Sequence, residues 1–353
     1  MSSDPLVKSA VSHWGPRFVG SGITYSDFQE VMAKIDTWND WCAAWSERAA
    51  VHERLGREAL AARHLFSAGE HLQRAGVYYH FAAFLFVHDQ AQMRAAHMRA
   101  VACRNDALPY LRPRGERVEI PYEGRNLVGI LRKPEGIERP PVIAMALGLD
   151  SHKEESDVHE QPYLQRGMAT LAFEGPGQGE CQYDLAIRGD YEVPFGAVLD
   201  YIETRPDLDA KRIGVFGVSL GGYYAPRLCA FDKRPKACIA LGGPFDWQSC
   251  FDKLPDLTRE TFRVRSKSTT REEAKRKAAT LTLEGVAQNI TCPIYIMNGR
   301  NDTLLPASDA ERLAREVKGP AVLNIIDNGN HVASNRGYLW RAQSADWIAE
   351  QLR

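Results

Sequence analysis

The chain has 353 residues, 44% hydrophobic and 25% charged, which is typical of a soluble globular protein with room for two domains. A net charge of −1 removes the electrostatic argument for nucleic acid, and no apolar run approaches the ~18 residues of a membrane span. Seven scattered cysteines and an N-terminus without a signal-peptide core indicate a cytoplasmic protein with reduced thiols, no disulfide frame and no zinc site.

The N-terminal third has the sequence pattern of helices. Residues 1–22 contain Gly, Pro and Ser and predict an irregular lead-in. From 25 to 109 strand signals are missing, and apolar residues recur at helical spacing, as in Trp38, Trp41 and Trp45. We predict about four helices here and assign residues 1–112 to an all-helical cap or lid domain, with a linker near 111–115.

One helical segment, residues 78–89, is unusually aromatic, because seven of its twelve residues are aromatic or histidine. Two compatible interpretations follow. The segment is either a helix buried between two layers, or part of it lines a substrate pocket against the second domain. In the second interpretation Tyr78, Tyr79 and Phe81 are candidate substrate-binding residues.

Residues 113–353 alternate between strand and helix patterns and form the predicted catalytic domain. An antiparallel pair comes first, and continuous apolar runs of the kind found in buried parallel strands follow. The eight predicted strands are 117–121, 127–131, 141–147, 169–173, 213–216, 237–241, 293–297 and 322–326. This order predicts an α/β fold with a mostly parallel eight-stranded sheet and helices on both faces. The charged stretch 259–277 is predicted to be a solvated helical excursion.

The fifth strand leads directly into Gly-Val-Ser-Leu-Gly at 217–221, and a helix pattern follows. A Gly-x-Ser-x-Gly motif between a strand and a helix is typical of a sharp turn that exposes a nucleophilic serine, here Ser219. The alternative is a glycine-rich turn with an incidental serine, so the residues after the other strands decide between the two.

Asp302 follows the seventh strand and His331 follows the eighth. The order Ser, Asp, His is that of the α/β-hydrolase triad, in which histidine accepts the serine proton and the carboxylate orients the histidine. Asp309 and Asp327 are rival acids, but Asp302 lies directly after its strand. The sequence therefore predicts an α/β-hydrolase fold and a serine hydrolase with Ser219, Asp302 and His331 as its triad.

An oxyanion requires two backbone N–H donors. Leu220, next to the nucleophile, is predicted to supply one, and Leu149, in the loop after the third strand, the other. The glycine-rich loop 174–180 lacks dinucleotide spacing and reads as a turn, and no metal-ligand motif is present. We expect no cofactor and no metal.

Several motifs together carry a family resemblance. They are Tyr-Tyr-His-Phe-Ala-Ala-Phe-Leu-Phe at 78–86, Gly-Leu-Asp-Ser-His-Lys-Glu-Glu at 148–155, Glu-Gly-Pro-Gly-Gln-Gly-Glu at 174–180, Gly-Val-Ser-Leu-Gly-Gly at 217–222, and the Asp302 and His331 loops. From about residue 25 onward the chain resembles the FrsA-like α/β-hydrolases with an N-terminal helical domain. That group includes polyketide-shortening hydrolases of fungal pigment pathways and a hydrolase of nicotine breakdown. The resemblance further implies a homodimer.

Family resemblance and the aromatic segment favour cleavage of a C–C bond next to a carbonyl, in an aryl ketone or β-diketone-like small molecule. Hydrolysis or acyl transfer on a small aromatic ester is the alternative, and a ligand-binding receptor on a hydrolase fold is the non-enzyme alternative. A carbon leaving group calls for an extra acid near it. The candidates for that acid are Asp246, Glu154, Glu155 and Glu180. Asp246, Trp247 and Glu155 are also candidate substrate-binding residues.

Overall fold

The first strand is preceded by five helices in the computed structural model, which describes residues 2–353. These helices are α1 (Pro5–Gly20), α2 (Tyr25–Met32), α3 (Trp41–Ala61), α4 (Leu65–Ala83) and α5 (Gln90–Ala107). Four of them lie in the region where about four were predicted. Within residues 2–353 no helix is both long and apolar enough to cross a membrane.

Helix α1 lies where an irregular lead-in was predicted, and that prediction was wrong. The Asp4 side chain accepts hydrogen bonds from the backbone of Leu6 and Val7, and Pro5 occupies the first turn, which together cap the helix. Val7, Ala10, Trp14 and Phe18 form one buried face at helical spacing. Burial of this face outweighs the cost of Gly15 and Pro16 inside the helix.

The sheet has eight strands, as predicted, in the order β1-β2-β4-β3-β5-β6-β7-β8. Their bounds are β1 (Gly115–Tyr122), β2 (Arg125–Arg132), β3 (Val142–Ala146), β4 (Ala169–Glu174), β5 (Ile213–Val218), β6 (Ala237–Leu241), β7 (Ile294–Gly299) and β8 (Ala321–Ile326). Strand β2 pairs antiparallel with both β1 and β4. All the remaining neighbours, in the order β4-β3-β5-β6-β7-β8, pair in parallel. The carboxyl ends of β3, β5, β7 and β8 therefore meet at one edge.

Two apolar cores lie on opposite faces of the sheet. Along β3, Val142, Ala144 and Ala146 belong to one core, while Ile143 and Met145 belong to the other. This alternation follows from the two-residue period of a strand. The first core continues without a break into the buried aromatic residues of α1, α3 and α4. The helical region thus shares its apolar interior with one face of the sheet.

The remaining helices are α6 (Asp157–Leu164), α7 (Glu192–Thr204), α8 (Gly221–Phe231), α9 (Trp247–Phe251), α10 (Asp256–Arg265), α11 (Arg271–Ala278), α12 (Ala307–Glu316) and α13 (Arg341–Gln351). Helices α10 and α11 cover the charged stretch that was predicted to be a solvated excursion. That description is correct for part of the stretch only, because Phe262 and Arg265 are buried. Arg265 reaches inward to the carbonyl oxygen of Leu149.

Candidate active site

Ser219 lies in a sharp turn between β5 and α8. Its φ of 56° falls in the left-handed region that a non-glycine residue adopts only under strain. The turn leaves no room for side chains beside the serine. A Cβ on Gly217 would lie 1.9 Å from the carbonyl oxygen of Gly221, and one on Gly221 would lie 2.2 Å from that of Ala146. Both glycines are therefore required by the close approach of the backbone.

The structure brings Ser219, His331 and Asp302 together. The Nε2 atom of His331 lies 2.9 Å from Oγ of Ser219, and its Nδ1 atom lies 2.8 Å from Oδ2 of Asp302. The Asp302 side chain is fully buried, and its other oxygen accepts hydrogen bonds from the backbone N–H groups of Leu304 and Leu305. The carboxylate is thereby fixed, and it can hold the imidazole with its proton on Nδ1 and its lone pair toward the serine.

The two rival acids have other partners. Asp309 accepts a hydrogen bond from the backbone of Phe245, and Asp327 forms an ion pair with Arg300 at 2.6 Å. Neither is the carboxylate that contacts His331.

The loop after β3 passes close to the serine and is held by two side chains. The Nε2 group of Gln178 donates hydrogen bonds to the carbonyl oxygens of Leu147 (2.6 Å) and Gly148 (3.0 Å). Arg265 donates to the next carbonyl, that of Leu149. Gln178 thus holds the Gly148–Leu149 peptide by its carbonyl oxygen. Because the C=O and N–H of a trans peptide point in opposite directions, the Leu149 N–H points away from Gln178.

A small cavity of about 40 Å³ opens in front of the serine and histidine. Its walls come from α1, the loop and helix after β3, and the segment after β8. They comprise Trp14, Arg17, Ser21, Ser151, Val158, His159, Val218, Ser219, His331, Val332, Ser334, Trp340 and Arg341. Pockets for drug-sized ligands measure roughly 300–1,000 Å³, so an aromatic substrate fits only if a wall moves.

The sequence profile of the FrsA-like esterases matches residues 26–353, nearly the whole chain. The chain belongs to the FrsA-like esterase family. It is therefore an α/β-hydrolase enzyme, which disfavours the receptor alternative. The predicted fold and family resemblance are confirmed.

Individual relatives agree with the FrsA-like assignment. The chain is 36% identical to the 2,6-dihydropseudooxynicotine hydrolase of Paenarthrobacter nicotinovorans over 96% of this chain and 92% of that protein. It is 35% identical to the α/β hydrolase gkaG of Penicillium citrinum, over 68% of this chain and 61% of that one. The crystal structure of 2,6-dihydroxy-pseudo-oxynicotine hydrolase superimposes with a TM-score of 0.89 at 34% identity, covering 96% of this chain and 95% of that one.

The aromatic segment of this FrsA-like chain does not line the cavity, and the substrate contacts of Tyr78, Tyr79 and Phe81 stay predictions. All three are fully buried in the helical region. The Tyr78 hydroxyl donates to Asp27, and that of Tyr79 donates to Glu53. The Phe81 ring packs 4.4 Å from that of Phe18. The structure supports burial of the segment, but only residues 78–83 are helical, because α4 ends at Ala83 and Leu85 has a φ of 57°.

Asp246 and Trp247 also lie outside the cavity walls. The Asp246 carboxylate caps α9 by accepting a hydrogen bond from the backbone of Gln248. The Trp247 ring is buried against Phe262, with ring centroids 5.6 Å apart. Both side chains are thus used in local contacts, and their substrate contacts stay predictions.

Glu155 is placed behind the cavity wall. Its carboxylate accepts hydrogen bonds from Arg17, and the guanidinium of Arg17 also pairs with Asp150 at 2.6 Å. Burial alone would lower the pKa of Arg17, but these two carboxylates hold it above its ordinary value. Glu155 thus supports a wall residue and does not face the cavity itself.

The other two candidate acids have cationic partners. Glu154 pairs with Lys153 at 2.7 Å, and Glu180 pairs with Lys153 at 2.7 Å and with Arg117 at 2.9 Å. Neither lines the cavity next to Ser219.

One buried cluster offers metal-ligand atoms. His97, His152 and Glu154 each place one such atom within 4.8 Å of the others. However, Nε2 of His152 accepts a hydrogen bond from Arg265, and Glu154 accepts one from Lys153. Two cations thus occupy the surroundings that a metal ion would need, and we assign no metal to the cluster.

Three residues near the site carried no signal in the sequence analysis: Gln178, Arg265 and Arg341. Gln178 lies in a loop that was read only as a turn, and Arg265 lies in a charged stretch that was read as solvated. Their roles depend on partners 30 and 116 residues away. Only the family motif at 174–180 could have drawn attention to Gln178.

Proposed function

We propose that this protein is a cofactor-free serine hydrolase that cleaves a C–C bond next to a carbonyl in an aryl ketone or β-diketone-like small molecule. The observation that carries the proposal is the pair of contacts from His331, at 2.9 Å to Ser219 and 2.8 Å to Asp302. The proposed oxyanion donors are the backbone N–H groups of Leu220 and Leu149.

In the proposed mechanism Oγ of Ser219 attacks the substrate carbonyl while Nε2 of His331 accepts the hydroxyl proton. The negative charge that develops on the carbonyl oxygen is stabilised by the two N–H donors and by the N-terminus of α8. Collapse of this intermediate expels the leaving group, which takes the proton from His331. Water then repeats the sequence on the acyl-enzyme and releases a carboxylic acid.

The nature of the leaving group separates the two candidate reactions. An ester releases an alkoxide, whereas C–C cleavage releases a carbanion, which must be delocalised as an enolate or an electron-rich ring and protonated as it leaves. C–C cleavage is favoured by the relative named for 2,6-dihydropseudooxynicotine, which spans nearly the whole chain, and by the aromatic walls at Trp14 and Trp340. Ester hydrolysis or acyl transfer is favoured by the family's esterase designation and is the second candidate.

We also propose that residues 1–112 form a cap domain that acts as a lid on the catalytic domain of residues 113–353. Support comes from α1, which contributes Trp14 and Arg17 to the cavity beside Ser219, and from Ser21, which follows the helix directly. The lid role thus belongs to α1 instead of the aromatic segment of α4. A homodimer and a cytoplasmic location remain predictions, and sedimentation velocity on the purified protein tests the first.

The function is tested with a panel that pairs aryl β-ketones with aryl esters of similar shape, with products identified by mass. We expect cleavage of at least one ketone to a carboxylic acid and a protonated carbon fragment. Efficient turnover of the esters with no cleavage of any ketone would transfer the proposal to ester hydrolysis. Labelling of Ser219 by a fluorophosphonate probe, read by peptide mass, reports separately on whether the nucleophile is active.

A further inference from the structure

Arg341, the first residue of α13, lies where two cavities meet. It lines the small cavity beside Ser219, and it also lines a surface groove of about 610 Å³ between the helical region and α6. The two share only Ser21, Val158 and Arg341 among their lining residues. Arg341 therefore lies at the side of the small cavity that adjoins the groove.

The Arg341 side chain is partly buried and lacks an ion-pair partner. Its Nε atom is buried without a hydrogen-bond partner, and no carboxylate in residues 2–353 forms an ion pair with it. Burial lowers the pKa of this arginine, and no neighbouring acid offsets the effect. Arg17, the other arginine of the same wall, is by contrast paired with two carboxylates, those of Asp150 and Glu155.

The other cavity walls do not supply a counter-charge. His159 faces the same space, and burial together with the charge of Arg341 lowers its pKa to about 3, so it is neutral near pH 7. Ser21, Ser151 and Ser334 are uncharged, and the carboxylate of Asp302 is already engaged by His331. Among the residues that line the cavity, Arg341 is thus the arginine that has no ion-pair partner.

We propose that Arg341 binds a carboxylate group of the substrate, so that this enzyme acts on anionic acyl compounds in preference to neutral ones of the same shape. The inference deepens the proposed function and rests on it. A planar guanidinium matches a carboxylate in geometry as well as in charge. Binding there would fill the unmet hydrogen-bonding capacity of Arg341 and hold the scissile carbonyl toward Ser219.

The test uses pairs of 4-nitrophenyl esters that differ only in one terminal charge. The half-esters of adipate, pimelate and suberate carry a carboxylate that cannot close a five- or six-membered anhydride onto its own ester, and their neutral counterparts end in a primary amide. In the native protein kcat/KM should be roughly 10- to 100-fold higher for the anionic member of the best pair, as expected for a charge-assisted hydrogen bond. In Arg341→Met this ratio should fall to near one, and Arg341→Lys should retain an intermediate ratio.

The control is Arg315→Met, which removes an exposed arginine from α12 and should leave the ratio as in the native protein. Equal turnover of both members of every pair by the native protein would overturn the inference, as would a preference that survives in Arg341→Met. If Arg341→Met fails to fold, a labelling experiment on the native protein tests the carboxylate site instead. Glutarate should then slow fluorophosphonate labelling of Ser219, and glutaramide should not, whereas equal effects of the two would refute the carboxylate site.

Failure of this inference is distinguishable from failure of the proposed function. If Ser219 is labelled and neutral esters are hydrolysed without any preference for charge, the hydrolase proposal stands and the anion site falls. If Ser219 is not labelled and no ester is turned over, the hydrolase proposal itself fails.

Discussion

Two strained backbone positions hold the proposed nucleophile and base in register. Ser219 has a φ of 56°, and Val332, directly after His331, has a φ of 57°, which is rare for a β-branched residue. Such conformations persist only where the surrounding packing determines them. Here the glycine contacts around Ser219 and the buried Val332 side chain provide that packing, so the distance between Oγ and Nε2 is fixed before substrate binds.

Gln178 is the residue whose role is most directly testable. Its amide is oriented by the Tyr191 hydroxyl and clamps the carbonyl oxygens of Leu147 and Gly148. Replacement by Leu removes the clamp and allows the Leu149 N–H to drift from its proposed position. We expect kcat to fall about 10- to 100-fold with little change in KM, somewhat less than the loss of an oxyanion donor itself.

The matched control is Gln182→Leu. Gln182 is equally buried, but its side chain donates only to the carbonyl of Gly179 within its own turn. Gln178→Leu loses four side-chain hydrogen bonds and Gln182→Leu loses one. A purely structural effect would therefore lower the free energy of unfolding more in Gln178→Leu, and any effect on kcat would follow that loss of stability. A selective fall of kcat in Gln178→Leu supports the positioning role, and equal falls in both variants would contradict it.

At the scale of secondary structure, the strands were predictable and α1 was not. All eight strands lie within about two residues of their predicted bounds, because continuous apolar runs between turn residues have few alternatives. Helix α1 was missed because Gly15 and Pro16 interrupt its pattern, although Asp4 and Pro5 are a readable start signal. Its buried face only becomes favourable against α3 and α4, which local sequence does not reveal.

Residues of the candidate active site were likewise predictable only where local sequence marks them. Ser219, Asp302 and His331 could be named from sequence because each directly follows a strand at one edge of the sheet. The residues of the cavity walls could not be named from sequence, because Trp14, His159 and Arg341 come from three separate elements and meet only through tertiary packing. The sequence left two interpretations open for the aromatic segment, since aromatic residues serve a core as well as they serve a pocket.

Helix α1 should govern which substrates reach the serine. Trp14 lines the cavity, so Trp14→Ala enlarges it on the side of the proposed lid. We expect the ratio of kcat/KM for an octanoyl ester to that for an acetyl ester to rise about tenfold, since a few methylenes in an apolar pocket are worth this much. Acyl-chain series of 4-nitrophenyl esters provide the measurement.

Trp41→Ala is the control for Trp14→Ala. Trp41 is fully buried in α3, where its ring N–H donates to the carbonyl of Phe81, and it does not line the cavity. Both changes should lower the free energy of unfolding by about 3–5 kcal/mol. An unchanged acyl-chain preference in Trp14→Ala, or an equal shift in both variants, would argue against a lid role for α1.

At the scale of the whole molecule, the helical region is joined to the catalytic region through buried polar groups. His97 of α5 contacts the Tyr183 hydroxyl at 2.8 Å, and Arg104 pairs with Glu160 at 3.3 Å. Burial lowers the pKa of His97 to about 3, and that of His152 lies well below its ordinary value. Both imidazoles are therefore neutral at this junction in the folded protein.

These histidines make the protein sensitive to mild acid. The unfolded chain binds a proton at His97 as the pH falls through about 6.5, whereas the folded protein does not until about pH 3. The unfolded state then holds more protons, so the free energy of unfolding decreases as the pH falls from 6.5 toward 3. Between pH 7 and pH 5, His97 should account for a loss of ~2 kcal/mol.

Denaturant titrations of the native protein and of His97→Gln at pH 7 and pH 5 measure this contribution. The variant should lose ~2 kcal/mol less over the interval than the native protein does. His64→Gln, at an exposed position before α4, should behave like the native protein. The same pH dependence in all three proteins would show that His97 does not carry the acid sensitivity.

The proposed mechanism requires Ser219 as the nucleophile. The decisive measurement is kcat/KM of purified Ser219→Ala against the best substrate of the ketone and ester panel, with the exposed Ser249→Ala as the control for handling and folding. The proposed mechanism predicts a loss on the order of 10⁶-fold in Ser219→Ala and none in Ser249→Ala. Activity of Ser219→Ala within about tenfold of the native protein, a difference of only ~1.4 kcal/mol, would contradict it.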